Sequence, residues 1–270
     1  IENEKLKGQI EVYKTDAEDN KIRLEGVEFQ VINSNGEVVE TIKTNKQGYA
    51  ITSRIPIQKY FLKEVKTDEL HILNEEIVEV DVTTDIISRL DITNERIKGQ
   101  IKVIKTSEDD NFINGLKAGS PIPNVKFEVY DSNNNLVDEI ITSEDGTATT
   151  KLLDKNSYIL KEVESGEFYL LNENEFVAEI KTHGEIVEVN VTNESEKPDV
   201  DIEKEGIIQT TANQEIKYDF YIKNTGNTAL DDFIWTDTLP TDYVTATKLI
   251  TGTYNQDLNY SVYYKTNKND

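Results

Sequence analysis

A lysine, a glutamate and an asparagine can, in the right surroundings, make a covalent bond between two of their number. Lys14, Glu64 and Asn94 form one such trio in this sequence, and Lys105, Glu162 and Asn193 form a second. A buried ammonium without a partner costs several kcal/mol, so its pKa falls and the neutral amine appears. A neutral amine is a nucleophile. A carboxyl group in the same apolar site keeps its proton more readily, can hydrogen-bond the asparagine carbonyl oxygen, and can shuttle protons. Attack of the lysine Nζ on the asparagine Cγ then yields an amide and releases ammonia. Holding the groups together supplies the effective molarity that the reaction needs. The expected bonds are Lys14–Asn94 assisted by Glu64, and Lys105–Asn193 assisted by Glu162.

That chemistry requires elements that turn the three side chains inward. In a strand, residues of one parity share a face. Ile10, Val12 and Lys14 share parity in KGQIEVYKTD, as do Ile101, Val103 and Lys105 in KGQIKVIKTS. Tyr60, Leu62 and Glu64 do so in the first half, and Tyr158, Leu160 and Glu162 in the second. Leu90 and Ile92 share a face with Asn94, while Val187, Val189 and Val191 share one with Asn193. Each polar residue therefore extends an apolar stripe. Simpler readings remain open from parity alone: a lysine can snorkel, a glutamate can mark a strand end, and asparagine is a common turn former.

The two trios belong to an internal repeat. Val27-Glu28-Phe29 returns as Val125-Lys126-Phe127, Gly48 as Gly146, and Asn74 as Asn172. A unit of roughly ninety residues has been duplicated, too long for a solenoid repeat and long enough for a domain. An insertion around Asn114 to Ser120 distinguishes the second copy. Each copy reads as all-β, with GQIEVYK, VEFQVI, VVETIKT, KYFLKEV, EIVEVDV and SRLDITN as strands in the first. Turn signals such as Asn45-Lys46-Gln47-Gly48 separate them. Tandem Ig-like or prealbumin-like β-sandwiches are the expected fold, at residues 1–97 and 98–196. A third, Ig-like β segment spans 197–270 and includes a strand-like SVYYKT near its end. It reads as truncated, and the first residue, Ile1, reads as that of a fragment or processed product.

Composition narrows the function. The net charge is -23, from 52 acidic against 29 basic residues. That disfavours nucleic acid, since nothing would neutralise phosphates, and it favours a monomer through mutual repulsion. No run is long enough to cross a bilayer. There are no cysteines, so neither disulfides nor thiol catalysis are available. The two histidines, His71 and His183, read as surface residues, and no metal or cofactor site is expected. DAEDN (Asp16 to Asn20) and SEDDN (Ser107 to Asn111) offer oxygen ligands for calcium but lack a glycine-turned loop, and read as solvated acidic turns. Multiple-turnover catalysis is not expected. Any enzymatic step is a single self-modification.

The lysine on the opening strand, the Tyr-x-Leu-x-Glu strand (YFLKEV and SYILKEV) and the asparagine closing the last strand together resemble the collagen-adhesin B-type family. This family is also called SpaA-like or prealbumin-like. Where it often continues Ala-Pro-x-Gly-Tyr after the glutamate, this chain has KTDELHIL and ESGEFYLL. The resemblance covers about residues 6 to 196. It implies domains of Gram-positive pilins and adhesin stalks on the cell wall, with spontaneous intramolecular Lys–Asn isopeptide bonds. A host protein or glycan is the ligand expected if the region instead serves as a binding adhesin. The third segment resembles a bacterial-surface Ig-like repeat through Asn224 to Thr228 (NTGNT) and Asp237 to Pro240 (DTLP). There Val200, Ile202 and Lys204 repeat the parity of the first strand, with no bond assigned to Lys204.

Overall fold

The computed structural model describes residues 6–207, 209–240, 242–250 and 263. The chain divides after Ala229 into two compact units. The first holds all eighteen strands found among the described residues, and no helix is found among them.

The alternating stripes become strands with one buried face. In the first module the strands are β1 (Lys7–Asp16), β2 (Glu28–Asn33), β3 (Val38–Lys43), β4 (Tyr49–Ile51), β5 (Ile55–Pro56), β6 (Lys59–Lys66), β7 (Ile77–Asp81) and β8 (Ile87–Asn94). One sheet runs β3-β2-β6-β7, antiparallel throughout. In the other, β1 pairs antiparallel with the short β4 and β5, and parallel with β8. The inward faces of the two sheets meet in one core, in which Ile10 and Val12 from β1 pack with Phe29, Val31, Tyr60 and Leu62 from the opposite sheet. Burying each such side chain contributes about 1.5–3 kcal/mol.

The second module repeats the plan with β9 (Lys98–Ser107), β10 (Lys126–Tyr130), β11 (Leu136–Ile141), β12 (Thr147–Thr149), β13 (Leu153–Asp154), β14 (Ser157–Glu164), β15 (Glu175–Glu179) and β16 (Ile186–Asn193). Its sheets are β11-β10-β14-β15, and β9 with β12, β13 and the parallel β16. In both modules, then, the first and last strands are parallel neighbours, and their registers are alike. Lys14 stands opposite Ile92, and Asn94 lies one parity step further along, opposite Asp16. Lys105 stands opposite Val191, with Asn193 opposite Ser107.

Two glycines hold the lysine backbones from the other edge. Gly48 has φ +67° and its carbonyl accepts the Lys14 N–H at 2.7 Å. A Cβ there would lie 2.3 Å from the Lys14 carbonyl oxygen. Gly146, with φ +73°, is placed against Lys105 in the same way, and its Cβ would fall 2.5 Å from that carbonyl. Only glycine adopts this conformation without strain at so close an approach.

Beyond the second module, β17 (Val200–Gly206) pairs antiparallel with β18 (Tyr218–Asn224), with Lys204 opposite Phe220. The Lys204 Nζ lies 4.6 Å from the Tyr218 ring centroid. From Leu230 onward the described residues include no strand. The SVYYKT stretch, apart from Tyr263, lies outside the described residues.

Candidate functional site: two buried Lys–Glu–Asn clusters

The folding pattern brings the six residues together in two sets of three. Lys14 ends the apolar stripe of β1, Asn94 ends that of β8, and Glu64 comes across from β6 in the facing sheet. Each cluster therefore ties both sheets together. Lys14 and Lys105 are fully buried, and Glu64, Glu162, Asn94 and Asn193 are all at most 5% exposed. The snorkelling reading of the lysines fails, because the Nζ atoms point inward rather than to water.

In the first cluster the Lys14 Nζ donates to the Asn94 Oδ1 at 2.5 Å and lies 2.9 Å from the Glu64 Oε2. The Asn94 Nδ2 donates to the Glu64 Oε1 at 2.6 Å. In the second, the Lys105 Nζ donates to the Asn193 Oδ1 and lies 2.7 Å from the Glu162 Oε2. The Asn193 Nδ2 donates to the Glu162 Oε1 at 2.5 Å. Each carboxylate thus touches the amine with one oxygen and the carboxamide nitrogen with the other. This differs from the expectation that the carboxyl group would bond the carboxamide oxygen. That oxygen is taken by the amine, and rotation of the carboxamide leaves its nitrogen facing the glutamate.

Burial lowers the pKa of both lysines, outweighing the hydrogen bonds and negative charge of Glu64 and Glu162, which act to raise it. The neutral amine is therefore populated at lower pH than for an exposed lysine. An aromatic ring borders each amine on the apolar side: Phe29 with its centroid 5.8 Å from the Lys14 Nζ, and Phe127 5.9 Å from the Lys105 Nζ. The repeated Val-x-Phe motif carries these rings, but in sequence it marks only the duplication. Asn74 and Asn172 likewise recur without a visible role. In the fold their side chains donate to the Thr93 and Thr192 carbonyls, pinning the loop after the glutamate strand to the last strand.

A second polar cluster adjoins the first and was not legible as such. His71 is 6% exposed rather than on the surface. Its Nε2 lies 2.9 Å from Asp16 and its Nδ1 2.7 Å from Asp68. Asp16 is buried as well, not part of a solvated turn. Its Oδ1 accepts the Glu18 and Asp19 N–H groups, and its Oδ2 accepts from the Arg96 Nε at 2.6 Å. Burial alone would raise the Asp16 pKa, but these bonds from Arg96, His71 and the backbone hold it well below the usual carboxylate range. Arg96 also donates to Asp154 at 2.8 Å, and Lys98 pairs with Glu18, so charges span the joint between the two modules. The signal was present in the sequence: Asp16 shares the parity of Lys14, and Arg96 that of Asn94. His183 is exposed, its Nδ1 accepting the Lys98 N–H at 3.3 Å.

Comparison with known proteins matches the sequence to a family. The model of the SpaA prealbumin-like fold domain matches residues 8–96 and again 99–195. Among solved structures, the chain is similar to the TIE protein of Bacillus anthracis, at 22% identity and a TM-score of 0.62. That match covers 83% of this chain, which spans 46% of the length of the other. At that identity the likeness is one of fold. Others are the minor pilin GBS52 of Streptococcus agalactiae (19% identity, 70% of this chain and 96% of that one, TM-score 0.33) and a C-terminal fragment of the pilus adhesin SpaC of Lactobacillus rhamnosus GG (10%, 70% and 98%, 0.45). No curated protein matches the sequence.

Proposed function

The chain belongs to the SpaA prealbumin-like fold domain family, and from that premise we propose that it is a load-bearing stalk segment of a Gram-positive cell-surface protein, pilin-like or part of an adhesin. In this reading each module seals itself with one Lys–Asn isopeptide bond. The observation that carries it is the buried amine held against a carboxamide, with one carboxylate touching both, at the junction of first and last strands.

The chemistry follows from the contacts. The neutral Lys14 amine adds to the Asn94 Cγ. Its surplus proton passes to the Glu64 carboxylate at Oε2, and turning of the carboxyl group about its Cγ–Cδ bond delivers that same proton to the carboxamide nitrogen. The Cγ–Nδ2 bond breaks, ammonia leaves, and the new Nζ–Cγ amide remains. Atoms balance as amine plus carboxamide giving substituted amide plus ammonia. Lys105, Glu162 and Asn193 act likewise. The glutamate is unchanged at the end, but the lysine and asparagine are consumed, so each site works once. Multiple turnover, a cofactor and a metal have no place in this scheme.

A cysteine-free chain gains from such bonds what secreted domains often take from disulfides. The large negative charge suits an exposed, soluble shaft. Placement on the cell wall is tested by labelling. Antibodies raised against residues 1–196 are expected to stain intact, unpermeabilised cells of the source bacterium, and to lose that signal after surface proteolysis. Staining only after permeabilisation would contradict a surface role.

A further inference from the structure

The two clusters are not identical, and one difference lies at the atom that must leave. In the first module the Asn94 Nδ2 donates twice, to the Glu64 Oε1 at 2.6 Å and to the Thr67 Oγ1 at 2.8 Å. In the second, the Asn193 Nδ2 donates to the Glu162 Oε1. There Ser165 occupies the position equivalent to Thr67 and makes no hydrogen bond to Asn193 among the described residues. Thr67 follows directly on the end of β6, in the loop KTDEL, and is half-buried.

We propose that Thr67 is a positioning residue for bond formation in the first module, holding the carboxamide nitrogen of Asn94 as it becomes the leaving ammonia. This rests on the reading of the clusters as self-cross-linking sites. With both Nδ2 hydrogens engaged, rotation about the Asn94 Cβ–Cγ bond is fixed. The Oδ1 is then turned to the amine, and the Cγ presents a face to the Nζ. When the amine adds, the Nδ2 becomes tetrahedral and takes a proton relayed by Glu64. The Thr67 hydroxyl can then accept from the departing nitrogen or donate to its new lone pair. As a half-buried residue at the rim of the cluster, it also marks the side from which ammonia reaches solvent. No further reactant is needed.

The test is a time course on the full chain, made by cell-free synthesis, quenched in acid at intervals and digested. The branched Lys14–Asn94 and Lys105–Asn193 peptides are quantified by mass spectrometry. Thr67→Val is expected to slow the first bond by roughly fivefold to tenfold, the kinetic worth of one hydrogen bond, and to leave the second unchanged as an internal clock. Thr67→Ser, which keeps the hydroxyl, is expected to restore the rate. In a Lys14→Ala background, which cannot cross-link, Thr67→Val is expected to lower the melting temperature of the first module by about 4–8 °C, the worth of that one hydrogen bond. Equal rates for Thr67→Val and the parent chain would overturn the proposal while leaving the cross-linking reading intact. So would a slowed rate that Ser does not rescue, since the hydroxyl would then have no part in the reaction. Absence of both branched peptides from the parent chain would overturn the reading itself.

Discussion

Replacing Glu64 by Gln is expected to lower the melting temperature of the first module by roughly 20–30 °C. Gln keeps the size of the side chain but cannot take the proton of the amine, so the Lys14–Asn94 bond does not form. The loop that this bond closes holds about eighty residues, and closing it is worth roughly 4–5 kcal/mol against the unfolded state. For a module of this size each kcal/mol moves the midpoint by about 4–8 °C. Removing one charge of a buried pair is itself destabilising by about 3–5 kcal/mol, because the other is left uncompensated, so the Lys14→Met, Glu64→Gln double variant, which has neither buried charge nor bond, separates the two effects. A large shift that persists in that double variant reports the missing bond, not the missing charge. Glu162→Gln is expected to do the same to the second module. Calorimetry on each variant, with the other module as reference, checks both. A shift of only a few degrees would mean that Glu64 has no part in a covalent link.

Under tension the effect is larger still. Because β1 and β8 are parallel neighbours, force applied to the two ends enters along β1 and reaches Lys14. With the bond present it crosses to Asn94 and leaves through the joint at Arg96. The residues between are out of the load path. A residue of extended chain spans at most about 3.3–3.6 Å, so each bond withholds up to roughly 280 Å of extension. Single-molecule pulling of the parent chain is expected to show no unfolding step of that length from either module. The Glu64→Gln, Glu162→Gln double variant is expected to show two. Steps of that length in the parent chain would place the modules in the load path and remove the mechanical role.

Much of this arrangement was legible because strand parity is strict. Once Ile10 and Val12 face the core, Lys14 must as well, and the same holds for Glu64 after Leu62 and Asn94 after Ile92. The parallel pairing of first and last strands agrees with both reactive residues lying at the far ends of their stripes. What escaped has physical reasons too. β4 and β5 span three and two residues, too few to show a period, and exist because β1 offers them an edge. The burial of His71 depends on Asp16 and Arg96, distant in sequence and joined only by the fold. The parity argument, applied two residues further, would have turned Asp16 inward. The orientation of the Asn94 carboxamide, and with it the part of Thr67, is a rotamer choice settled by neighbouring donors and acceptors, which sequence periodicity does not encode.

The central claim is that two amines and two carboxamides have become two amides. The intact mass of the purified 270-residue chain tests it most directly. Each amide removes one ammonia, about 17 Da, so a mass about 34 Da below that of the plain sequence is predicted. A mass equal to the plain sequence would contradict it.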